Sequence, residues 1–78
     1  SALRDLGEIY DAQGKHREAR ESLERSIAIL EATEQPIELS RSYRVMSGLL
    51  KLQDPAGAER FAGLAEELMA VLGIAESD

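Results

Sequence analysis

Leu3, Leu6, Ile9 and Tyr10 recur at steps of three and four residues, which places them on one face of a helix from about Ala2 to Gln13. Gly14 follows at once, suited to the left-handed position that ends a helix. A second apolar pattern, Ala19, Leu23, Ile27 and Leu30 with Ser26 among them, predicts a helix continuing to about Ala32. Its other faces carry Arg17, Glu18, Arg20, Glu21, Glu24 and Arg25 and read as solvated surface. Glu21 with Arg25 is the favourably oriented four-residue pair and Arg20 with Glu24 the reversed one, each worth only a few tenths of a kcal/mol. The run from Thr33 to Pro36 breaks the pattern, with Pro36 fitted to the first turn of a third helix that carries Leu39, Tyr43, Met46, Leu49 and Leu50. Asp54-Pro55 is the strongest local signal, an N-cap followed by proline at the first helical position. The fourth helix should run from about Pro55 to Leu72 and stop before Gly73, leaving residues 73–78 to fray. No segment reads as a strand. The prediction is an all-α chain of two antiparallel helical hairpins.

The two hairpins resemble one another. Ala19-xxx-Leu23-xx-Ser26-xx-Ile29 in the second helix has a counterpart in Ala58-xxx-Ala62-xx-Ala65-xx-Leu68 of the fourth, an offset of roughly 39 residues that falls within the 20–50 expected of solenoid repeats. Leu6-Gly7-xx-Tyr10-xxx-Gly14-x-His16-xx-Ala19-xxx-Leu23-xx-Ser26 resembles the tetratricopeptide repeat (TPR) signature. Leu3 stands where tryptophan is usual, His16 where an interhelix tyrosine is, Leu23 where phenylalanine is and Ser26 where alanine is. In the second unit Tyr43, Met46, Ser47 and Leu50 follow the first-helix pattern, Asp54 holds the turn-glycine position and Ala58 arrives one residue early. The long Glu31–Pro36 passage is similar to the spacing in TPR arrays of bacterial signalling and transcriptional regulators. The resemblance implies one TPR-like domain or fragment, with repeat one over about 2–33 and repeat two over about 36–72. These would stack as a short right-handed superhelix. The small residues Gly7 and Ala19 would then mark a close helix crossing, with Tyr10 and Leu23 filling the space beside it.

Composition narrows the range of work such a chain could do. Its 78 residues, 8.5 kDa, allow one thin core. Without cysteine it has no disulfide, thiolate metal site or cysteine nucleophile. A net charge of -6 argues against general nucleic-acid binding. No apolar run is long enough to span a bilayer and no secretory signal pattern opens the chain, so a cytoplasmic setting is expected. Gly7 to Gly14-Lys15 fails as a phosphate loop, since the glycines are too far apart and His16 replaces the required hydroxyl residue. His16 is the only histidine, and Glu66 and Glu67 are adjacent and so diverge on a helix. Met46 and Met69 lie in apolar stripes and read as core. The chain is not expected to be an enzyme or to hold a metal or cofactor.

The resemblance implies a protein–protein interaction module whose first-helix residues line a concave groove for a peptide or partner protein. The matching positions are Arg4, Glu8, Asp11 and Ala12, then Arg41, Arg44, Gly48, Lys51 and Leu52. One branch of the family clamps a C-terminal carboxylate with lysine, arginine and asparagine; this chain has no asparagine, and Glu8 stands where a donor is needed, so that specificity is rejected. Arg41, Arg44 and Lys51 fall on one face of the third helix, which favours an acidic ligand. Two alternatives are a structural segment coupling the domains of a larger regulator, such as a transcriptional activator or nucleotide cyclase, and a closed four-helix bundle. The two differ in one respect: a bundle brings the first helix against the fourth and a solenoid does not. Finally, Phe61, Leu64, Leu68, Val71 and Leu72 spread over more of the fourth helix than one partner needs, which predicts self-association through that helix, as a two-fold homodimer.

Overall fold

The computed structural model describes residues 2–73. Four helices follow one another: α1 (Ala2–Ala12), α2 (His16–Ala32), α3 (Pro36–Leu50) and α4 (Pro55–Leu72), and no strand is present among the described residues. The fold is all-α. Each boundary has a local cause. Gly14 takes φ 76°, so the chain can turn tightly after α1, and the Lys15 amide donates back to the Tyr10 carbonyl at 2.9 Å. Between α2 and α3 the left-handed position falls on Glu34, φ 51°, where the sequence offers no glycine. Asp54 caps α4, its carboxylate accepting from the Gly57 amide at 3.0 Å, with Pro55 in the first turn. Gly73 closes α4; the rest of the tail, 74–78, lies outside the described residues.

Packing proceeds in chain order. α1 packs on α2, α2 on α3 and α3 on α4, and α1 also touches α3. Among the described residues α4 meets neither α1 nor α2, so the helices form an open ladder and not a closed bundle. The core runs along that ladder: Leu23 and Ile27 of α2, Tyr43, Met46 and Leu50 of α3, and Ala58 and Ala65 of α4. Burying a side chain such as Leu23 stabilises by roughly 1.5–3 kcal/mol. Polar groups inside are paired. Ser26 and Ser42 share a hydrogen bond, Oγ to Oγ at 3.1 Å, where α2 crosses α3. No helix of the described residues is long and apolar enough to cross a membrane.

The close crossing inside each hairpin uses one device in two forms. In the first hairpin, a Cβ on Gly7 would lie 2.9 Å from Leu23 Cγ and 3.3 Å from the Ala19 carbonyl oxygen. In the second, the Ser47 hydroxyl donates to the Ala58 carbonyl at 2.7 Å. Ser47 follows Gly7 by 40 residues and Ala58 follows Ala19 by 39.

Tyr43 ties the two hairpins together from outside the crossing. Its hydroxyl donates to Glu31 Oε2 at 3.0 Å and its ring lies 6.0 Å from that of Phe61. Burial, and then the Glu31 carboxylate, hold the phenol neutral and push its pKa up from 10.0 to about 12. The folded value exceeds the unfolded one, so this contribution to stability is complete below pH 10 and is lost as pH rises through about 12. Thermal melts across that window should show the advantage of the native chain over Tyr43→Phe shrinking as pH rises; a constant difference would mean that the phenol is not held in this way.

Candidate functional site

α1 and α3 are the first helices of the two hairpins, and their adjacency creates a cleft of about 310 Å³. Glu8, Asp11 and Ala12 of α1 form one wall, Val45, Gly48 and Leu49 of α3 the other, and Leu23 of α2 lies at its base. A second cleft, of about 290 Å³, lies between α3 and α4 and is lined by Arg44, Ser47, Gly48, Lys51, Ala62 and Glu66. Gly48 lines both clefts, so the two adjoin across α3. A Cβ on Gly48 would have nothing within 4 Å, which leaves room for a backbone to approach the helix there.

The predicted groove residues thus divide. Glu8, Asp11 and Ala12 meet Gly48 in one cleft, and Arg44, Gly48 and Lys51 meet in the next. Arg4 and Arg41 line neither, because both turn to Glu38. Arg4 Nη1 lies 2.8 Å from Glu38 Oε1, and Arg41 Nη1 lies 3.0 Å from Oε2. The Arg4 hydrogen bond, reinforced by both positive charges, holds the Glu38 carboxyl below the usual carboxylate range. Leu52 lies beyond the end of α3, is exposed and lines neither cleft. Charge along this face is therefore divided: carboxylates on α1, cations on α3, and Glu66 of α4 beyond them.

Compared with protein-family models, curated proteins and solved structures, the chain matches none.

His16 is not the interhelix aromatic that its position implied. It opens α2, is exposed, and its Nδ1 lies 3.2 Å from Asp11 Oδ1, bridging the ends of the first turn. On α2 the surface pair that forms is Arg20–Glu24, at 3.4 Å. No group of three or more His, Cys, Asp or Glu side chains able to hold a metal occurs among the described residues.

The residues expected to mediate self-association have different surroundings. Phe61, Leu64 and Leu68 are partly buried and pack on the chain's own core, whereas Val71 is 83% exposed and Leu72 lies at the end of α4. Leu64, Leu68 and Val71 form, with Leu39 and Tyr43, an apolar cleft of about 240 Å³ on the flank of α4 away from Ala62 and Glu66.

Proposed function

We propose that this chain is a protein-interaction module of the TPR type, belonging to a larger regulatory protein, that receives a peptide or partner segment along the face formed by α1 and α3. The observation that carries this reading is the repeated crossing device set in an open ladder. Gly7 against the Ala19 carbonyl recurs as Ser47 against the Ala58 carbonyl, while α1 and α4 stay apart. That order of packing brings the first helices of successive hairpins side by side and opens the cleft between them. Within that face Arg44 and Lys51 favour a ligand with carboxylates directed towards α3, and Glu8 and Asp11 favour neutral or basic residues on its other edge.

Surface charge pairs are individually weak, so the affinity should be about micromolar or poorer and should fall as salt rises. Screening the chain against arrays of acidic, neutral and basic peptides should select acidic ones. Arg44→Glu should weaken the selected ligands while leaving the helical circular dichroism unchanged. Equal binding of acidic and basic arrays, or indifference to Arg44→Glu, would remove this ligand class. A second reading, a segment coupling neighbouring domains, is favoured by the exposed apolar residues at both ends of the ladder, Leu6 and Ile9 on α1 and Val71 on α4.

A further inference from the structure

The repeat makes the first hairpin a template for the second. α3 lies over Gly7, Glu8, Asp11 and Leu23 of the first hairpin and turns Val45, Gly48 and Leu49 towards them. The residues of the second hairpin at corresponding places, about 40 further along, are Ser47, Gly48, Lys51 and Ala62. Those four line the cleft between α3 and α4. That cleft therefore has the form of a seat for a helix related to α3.

The chain contains such a helix in α1. By the same offset Asp5, Leu6, Glu8 and Ile9 of α1 correspond to Val45, Met46, Gly48 and Leu49 of α3. Met46, covered within the chain, is 1% exposed, whereas Leu6 is 38% and Ile9 53% exposed. The charges also match. The face of α1 with Leu6 and Ile9 carries Asp5 and Glu8, and the cleft is lined by the cations Arg44 and Lys51 against the single carboxylate of Glu66.

We propose that α1 of one copy docks in the α3/α4 cleft of another, head to tail. The two surfaces are different, so the contact is heterologous and does not close after two copies. Its register follows from the repeat and not from peptide binding, so the array result does not decide it. The seat is shallower than its template, because Ala62 stands for Leu23 and Glu66 for Ile27. Association is accordingly weak and salt-sensitive.

Sedimentation velocity of the 78-residue chain over a concentration series tests this. The sedimentation coefficient should keep rising without a plateau at the dimer, and less steeply at high salt. Glu66→Ile, which places at the exposed Glu66 the residue found at Ile27, should tighten association about tenfold or more. Adding Ile9→Lys to the same chain should abolish that gain. Ile9→Lys alone spoils the α1 surface and Gly48→Glu alone spoils the cleft. Each variant should be monomeric, yet an equimolar mixture should form a one-to-one dimer and nothing larger. Circular dichroism confirms that each variant is folded. A native chain and a Glu66→Ile chain that both remain monomeric would overturn the proposal. So would a plateau at a closed dimer, or a mixture in which the two variants fail to pair.

Discussion

Gly7→Leu should unfold a large part of the population at temperatures where the native chain is stable. A Cβ at that place already meets Leu23 Cγ at 2.9 Å and the Ala19 carbonyl oxygen at 3.3 Å. Leu23 and Ala19 are both fully buried, so neither can swing into solvent to make room. A leucine must push α1 away from α2 or leave its own side chain in a strained rotamer. Overpacking of this kind costs typically 1–3 kcal/mol and sometimes more. Folding leaves this chain only about 4–12 kcal/mol by the usual per-residue range. Thermal denaturation should place Gly7→Leu well below Glu21→Gln, a change on an exposed face. Equal melting temperatures would refute the close crossing of α1 and α2.

Met46→Ala should be of similar severity for the opposite reason. Met46 is almost fully buried in the core that joins Leu23 and Ile27 of α2 to Ala58 and Ala65 of α4. Truncation removes buried methylenes and leaves a cavity, at a cost of about 2–5 kcal/mol. Met46→Leu, which keeps the volume, should cost less than about 1.5 kcal/mol. Urea titrations should show a lower midpoint for Met46→Ala with an unchanged slope. A midpoint no lower than that of Met46→Leu would remove this residue from the junction.

The helices were legible in the sequence because their determinants are local. Pro36, Asp54-Pro55, Gly14 and Gly73 each act within a turn; α3 and α4 begin, and α4 ends, where those residues indicate. The buried places of Gly7, Ala19, Ala58 and Ala65 were legible because such residues must be small wherever two helices cross closely. What the sequence hid was pairing across long separations. Glu38 gathers Arg4, far away on α1, as well as Arg41, three residues along. Only the second partner lies at a spacing that a helical pattern can reveal. Arg4 and Arg41, both expected in a groove, consequently line neither cleft. Ser26 and Ser42 each look like a small residue at a crossing, and only the fold makes them a buried hydroxyl pair. His16 misled because its place in the TPR pattern implied packing, whereas at the start of α2 it finds the nearby Asp11 carboxylate. Turn chemistry gave no warning of Glu34, a left-handed position without a glycine or asparagine to mark it.

The open ladder also governs how fast the chain finds its shape. Among the described residues every helix interface but one joins successive helices, and the exception joins α1 to α3. Contacts therefore close over short stretches of chain, and little loop entropy has to be lost before packing repays it. Helical domains with such low contact order fold on the order of microseconds to milliseconds. No step waits for α1 and α4 to find each other, because among the described residues they never meet. A hairpin emerging first from the ribosome could pack before the second is made, and α3 would then find its seat on α1 and α2 already formed.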